Sequence, residues 1–307
     1  MSILGGVLGF AACGDAGALP ATGRPLPSDQ PPAHPPPSSA NEAWTVEGFA
    51  TPESVVYDER IDLYLVSNIN GSAFDRDDNG FISRVSPPPH PHIVDLAWID
   101  GARRDVTLHG PKALALGGEY LYVVDVNAVR RFDRTTGEPR GEVPIPGQFV
   151  NDVLVDGDTL YVSVTGLDRD LVIRGEPAIW AVQGDVARKL ASGTMYGGPN
   201  GLAMKDGKVQ VVSFGSGELY QLDGDGRTTG ERLPEGTLDG LVVLPDGRLA
   251  VSSWEASGVF VGGPGAWAQA PWQIPTPADM GFDPKRGLLL VPSFSENRVE
   301  LHAIGSL

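Results

Sequence analysis

Residues 200–213 read NGLAMKDGKVQVVS. A polar residue opens the stretch, a short apolar run follows, Asp206-Gly207 supplies a turn, and a second apolar run ends on Ser213. Asp-Gly between two β-prone runs is hairpin chemistry, because both residues tolerate positive φ. The plan recurs as ESVVYDERIDLYLVS from Glu53, KALALGGEYLYVVD from Lys112, NDVLVDGDTLYVS from Asn151, DGLVVLPDGRLAVS from Asp239 and DMGFDPKRGLLLVPS from Asp279. These starts lie 59, 39, 49, 39 and 40 residues apart. A period of roughly 40 to 45 residues holding four strands is one blade of a propeller, so six copies predict an all-β, six-bladed β-propeller. An all-β sandwich fits six copies of one unit poorly. Third strands follow each pair, as in GFISRVS from Gly80, AVRRFD from Ala128, AIWAVQ from Ala178 and GELYQLD from Gly217. AWTVEGF, just ahead of the first repeat, is a spare strand. Pairing it with the last blade would leave no sheet edge open.

Composition agrees with a turn-rich β protein: 40 glycines and 27 prolines among 307 residues, and no amphipathic helix of useful length. The formal charge of −16, with no basic run, argues against nucleic acid or an anionic membrane surface as partner; solubility or a cation site is the simpler reading, and the expected partner is a small-molecule substrate. No GxSxG, HExxH or cysteine pair is present, so a serine hydrolase or zinc protease has no support. GGPGAWAQAPW, from Gly262, lacks a following lysine and helix and is no phosphate loop.

The segment ILGGVLGFAAC, residues 3–13, resembles a bacterial lipobox, with Phe10 where leucine is usual; it is too short to cross a bilayer. Residues 14–43 are rich in Pro, Ser, Ala and Gly, without apolar periodicity, and read as an extended tether. The expected layout is a signal over 1–13 ending at a lipidated Cys13, a tether over 14–43 and a propeller over 44–307. That layout implies a monomeric lipoprotein of the bacterial envelope or periplasm, touching the membrane only through its anchor.

In a propeller the innermost strands line a central channel, so the first residues of the repeats form a ring near one mouth. Read this way, the ring is Glu53, Lys112, Asn151, Asn200, Asp239 and Asp279. Carboxylates and amides converging there favour a hard cation such as Ca²⁺, which takes oxygen ligands.

At these positions the six repeats resemble the senescence-marker protein/gluconolactonase/luciferin-regenerating-enzyme family, which includes regucalcin and is related to the paraoxonases. Family members hold one divalent metal with a Glu of the first blade, two Asn of middle blades and an Asp of the fifth. The matching residues are Glu53, Asn151, Asn200 and Asp239. The resemblance implies lactone hydrolysis dependent on Ca²⁺ or Zn²⁺, with Asp239 as both ligand and general base. Lys112, in HGPKAL, departs from that pattern: it would bind substrate oxygen, pair with Asp279 or compete with the metal. His109 beside it is a candidate proton shuttle. Asp152, next to Asn151, is a candidate support for the ligands, and Tyr196, Trp254 and Phe294 read either as a pocket wall or as packing between blades. The alternative to an enzyme is a noncatalytic envelope propeller whose Ca²⁺ is structural.

One local motif competes for the metal. AFDRDDNGFIS, residues 73–83, begins like an EF-hand loop, yet the twelfth position from Asp75 is Ser86 rather than Glu, and strand-like runs flank it. It reads instead as a turn in the first blade.

Overall fold

The computed structural model describes residues 43–223, 226–228 and 230–304. The expected signal with Cys13, and nearly all of the expected tether, lie outside the described residues. The described chain is all-β apart from one 3-10 turn, Thr194–Tyr196, and no helix in it is long and apolar enough to cross a membrane.

Six antiparallel sheets follow one another along the chain. Their first strands are Pro52–Asp58, Leu114–Gly117, Val150–Asp156, Pro199–Lys205, Leu238–Val243 and Gly281–Asp283. Blades 1, 2, 3 and 5 have four strands in sequence order, and blade 4 adds a short fifth. Blade 6 takes its fourth strand, Ala43–Glu47, from the N-terminal side of the propeller: Val46 pairs with Val299 in the strand Arg298–Ala303.

Six apolar clusters hold the blades together, one at each interface. Strand Leu63–Asn68 shows how. Tyr64 and Val66 join Leu290 and Leu301 of blade 6, whereas Leu65 joins Leu121 and Phe132 of blade 2. Side chains alternate along a strand, and here both faces are covered, which is why LYLV is apolar throughout. Buried ion pairs reinforce the outer seams. Arg134 of blade 2 grips Asp58 of blade 1 with Nε–Oδ2 at 2.8 Å and Nη2–Oδ1 at 2.6 Å, and Tyr64 Oη donates to Asp283 Oδ2 of blade 6 at 2.8 Å.

Loop length is uneven. Between second and third strands, blades 2, 4, 5 and 6 use only 125–127, 214–217, 254–257 and 294–297. Blades 1 and 3 instead use 69–80 and 165–177.

Candidate active site

A bulge aims the site residues. The first strands of blades 1, 3, 4 and 5 change register between Pro52 and Val55, Val150 and Val153, Pro199 and Leu202, and Leu238 and Leu241. Two residues in each are thereby released from regular pairing, and such a bulge bends the strand and redirects side chains. The first of each pair, Glu53, Asn151, Asn200 and Asp239, lines one cavity of about 280 Å³, with Lys112 of blade 2 beside them. The second turns to the neighbouring blade. Ser54 Oγ donates to Asp279 Oδ2 at 2.6 Å, and Asp152 Oδ2 accepts from Leu202 N at 2.5 Å. In blades 4 and 5 the second residue is glycine for want of room: a Cβ on Gly201 would lie 2.4 Å from Asp239 O, and one on Gly240 2.7 Å from Met280 N.

Blade 6 corrects the ring as read from the repeats. Pro277 bridges Ser293 as Pro199 pairs Ser213 and Leu238 pairs Ser253. Ala278 therefore holds the position equivalent to Glu53, and Asp279 holds that of Ser54 and Asp152. Asp279 does not line the cavity, because a slip of one residue along a strand reverses the direction of a side chain.

The floor is a chain of hydrogen bonds. Asn151 Nδ2 donates to Thr165 Oγ1 at 3.0 Å and to Asn200 Oδ1 at 2.6 Å, and Asn200 Nδ2 donates to Asp239 Oδ1 at 3.1 Å. Thr165 Oγ1 in turn donates to Pro199 O at 2.9 Å, fixing the Asn151 amide between blades 3 and 4. Glu53 Oε2 is buried with no hydrogen-bond partner.

Negative charge is crowded and poorly compensated here. Burial, then the charges of Asp239 and Asp279, hold the Glu53 carboxyl well above the usual range, with Lys112 opposing. Burial pushes Asp239 up to about 7, held back by the Trp254 N–H and Asn200. Trp254 Nε1 makes no hydrogen bond of ordinary geometry but is near enough to act on that carboxylate. Burial likewise lifts Asp152 to about 7 against the amides of Leu202 and Val153, and burial with the Asp152 charge lifts Asp279. Lys112, 1% exposed, is shifted down by burial while Asp125 and Glu53 favour its charged form. Its Nζ lies 3.4 Å from Gly110 O and 5.1 Å from the Phe149 ring centre; no bond joins it to Asp279.

His109 stands apart. It does not line the cavity, and its Nδ1 lies 3.0 Å from Asp78 Oδ1 and 3.2 Å from Asp78 N. The acidic motif around it is a loop whose side chains are separately engaged: Asp75 with Arg169, Asp77 with Asn79, Asp78 with His109 and the Leu108 amide.

Aromatic rings wall the cavity. Phe214, Trp254 and Phe294 stand in a row, with centroids 5.6 and 5.5 Å apart, and Phe74 meets Phe149 at 5.0 Å. Tyr196 instead packs against Tyr220 between blades 3 and 4. Reasoning from sequence missed Phe214, although it follows Ser213 as Trp254 follows Ser253 and Phe294 follows Ser293. Phe149 and Thr165 gave no comparable signal, because only the folded loops bring them in, whereas Phe74 ends NINGSAF, a stretch after the second strand of blade 1, where loops commonly rim a pocket.

Donor chemistry at the floor fits a hard cation. Glu53 and Asp239 carboxylates and Asn151 and Asn200 amides offer oxygen alone, and the unpartnered Glu53 Oε2 lacks a counter-charge that an ion would supply. Among the described residues no three His, Cys, Asp or Glu side chains form a metal-holding group, so the set depends on the two amides.

No family model matches the chain. It is 28% identical over 229 residues to Tricorn protease homolog 1 of Streptomyces coelicolor, covering 71% of this chain and 18% of that protein. The chain thus spans less than a fifth of the length of the curated relative it matches. Two solved structures, each 18% identical, align along most of the chain. One, a structural-genomics target assigned as a gluconolactonase, has a TM-score of 0.64, with 87% of this chain and 93% of that chain covered. The other, the gluconolactonase XC5397 of Xanthomonas campestris, has a TM-score of 0.61, with 84% and 88% covered. Virginiamycin B lyase of Staphylococcus aureus aligns at a TM-score of 0.54 and 14% identity, covering 86% of this chain and 100% of that chain. The structural neighbours of this chain are therefore gluconolactonase-like six-bladed β-propellers, with virginiamycin B lyase among their wider relatives, and it shares their fold.

Proposed function

We propose that the chain is a metal-dependent lactonase or related ester hydrolase acting in this cavity, with Ca²⁺ the preferred ion over Zn²⁺ given an all-oxygen donor set. The observation that carries the reading is a concave site whose floor joins Glu53, Asn151, Asn200 and Asp239, one carboxylate oxygen of which has no partner. Those four residues would hold the ion, which when bound polarises the lactone carbonyl and steadies the charge that develops on its oxygen.

The chain's own groups do the rest. Asp239, buried at the floor, accepts the proton of a water attacking the carbonyl carbon. The ring C–O bond then breaks, and the departing oxygen takes a proton back. Asn200 orients the Asp239 carboxylate, and Thr165 and Asn151 orient Asn200. Aromatic walls exclude bulk water, which strengthens each of these interactions. His109, turned to Asp78, has no part in this scheme. At the bacterial envelope, anchored through Cys13, such an enzyme would meet small lactones from outside the cell.

Lys112 favours a second reading, a noncatalytic binding propeller: a buried ammonium beside Glu53 supplies part of the counter-charge an ion would otherwise provide. A lactone and aryl-ester panel, run with calcium and again with chelator, separates the two. Hydrolysis that chelation abolishes supports the enzyme. No turnover of any ester by protein that elemental analysis shows to be ion-loaded would overturn it.

A further inference from the structure

We infer that the substrate is a lactone or ester bearing a flat aryl or medium alkyl group, not a polyhydroxylated sugar lactone; the position of the reacting carbonyl rests on the hydrolase reading, whereas the apolar preference rests on the walls alone.

The two long loops, 69–80 and 165–177, meet over the floor. Arg169 joins them: Nη2 lies 2.5 Å from Asp75 Oδ1, Nη1 lies 3.5 Å from Ser72 Oγ, and the guanidinium stands 5.6 Å from the Phe74 ring centre. Beneath this link the loops present Ala73, Phe74, Leu167 and Leu171 to the cavity. Leu171 sits at φ 56°, a conformation that leucine rarely adopts, and the loop holds it there although the side chain is half exposed. The Phe214–Trp254–Phe294 row lines the same cavity.

Polar groups on these walls, as distinct from the floor, are scarce. Ser72, Arg169 and the Trp254 N–H supply them; the first two are engaged with each other or with Asp75, and the Trp254 N–H lies near the Asp239 carboxylate of the floor. A sugar lactone brings several hydroxyls, and each one left facing a ring without a partner costs roughly tenfold in affinity. An alkyl or aryl substituent gains about fourfold per methylene buried. The cavity, at about 280 Å³, sits at the small end of ligand pockets, so a single ring with a short tail fills it.

The test uses unreactive lactams, read by calorimetry on the calcium-loaded protein, beside kcat/KM for the matching lactones. Hexyl- or phenyl-substituted δ-lactam should bind at least tenfold tighter than δ-valerolactam, and a polyhydroxylated aldonolactam should bind more weakly than either. Leu171→Asn keeps a residue that tolerates positive φ but removes the apolar contact. It should weaken the hexyl-lactam about fivefold, and by more than it weakens δ-valerolactam, without lowering the melting temperature. An aldonolactam that binds as tightly as the hexyl-lactam overturns the inference, whatever the hydrolysis assay returns. Tight apolar binding without hydrolysis of any ester supports the inference on ligand class and overturns the hydrolase reading. Failure to bind any lactam overturns both.

Discussion

The propeller buries two sets of carboxylates and treats them in opposite ways. Asp58, Asp125 and Asp283 are fully buried, and each has an arginine: Arg134, Arg130 and Arg286, at distances down to 2.6 Å. Burial pushes the Asp125 carboxyl up, but Arg130 and the amides of Gly110 and His109 outweigh it, and the group ends below its ordinary value. Glu53, Asp152 and Asp239 are almost as buried, Asp279 is partly buried, and no guanidinium among the described residues bonds to any of the four. Their carboxyls are all shifted upward. A fold that places arginines against three buried acids and omits them from four, all near one cavity, leaves the second group to a ligand, an ion or a proton.

Removing an arginine tests the first set most severely. Arg134→Leu strands the Asp58 carboxylate and should lower stability by about 3–5 kcal/mol, read from urea unfolding. A loss below about 1 kcal/mol would mean the pair is not structural and would erase the contrast. Asp239→Asn is the counterpart. In ion-free protein at pH 8 it should keep or raise the urea midpoint, since it removes an uncompensated buried charge, while in calcium-loaded protein it should lower kcat by about 10²–10⁴-fold. A midpoint that falls as far as in Arg134→Leu would make Asp239 a structural acid like Asp58.

Titration separates the sets next. Acids with raised folded values contribute stability that is complete below their unfolded value near 4, and lose it as pH climbs toward about 7. The melting temperature of ion-free protein should therefore fall between pH 5 and 7. Acids lowered by partners, such as Asp133 at about 2, have finished titrating below that window. A flat or rising curve there would contradict the burial of uncompensated carboxyls. Calcium should restore what is lost. At a hundred times its Kd it would add about 2.7 kcal/mol, and Glu53→Gln should remove most of that gain in a thermal-shift titration. The smallest expected effect belongs to Thr165→Val. Losing the Asn151 and Pro199 hydrogen bonds should cost about 1 kcal/mol and raise KM more than it lowers kcat, because Thr165 orients the floor and touches no reacting atom.

Much of this was open to sequence reasoning because hairpin chemistry repeats. Asp206-Gly207 and Asp246-Gly247 mark turns at matching places, and those places set the blade count. Glu53, Lys112, Asn151, Asn200 and Asp239 were legible as ring positions for the same reason. Asp279 was misplaced by one residue. Its repeat begins DMGF, and nothing in that string says that the bulge seen in four other blades would put Ala278, not Asp279, at the mouth. His109 was drawn toward the site by its nearness to Lys112 in sequence, whereas its ring bonds to a residue 31 positions away. The Arg169–Asp75 link spans 94 positions and follows no repeat.

By itself, then, the amino-acid sequence determined the six-bladed architecture and the identities of the polar residues available to the channel, because both depend on local turn chemistry and a period of two. The tertiary structure alone decided which of two adjacent residues faces the cavity, which buried acids receive an arginine, and how two loops wall the mouth. Those outcomes turn on bulges, on charge interactions that vary with distance and burial, and on side chains meeting from different blades. None of these has a signature at any fixed spacing along the chain.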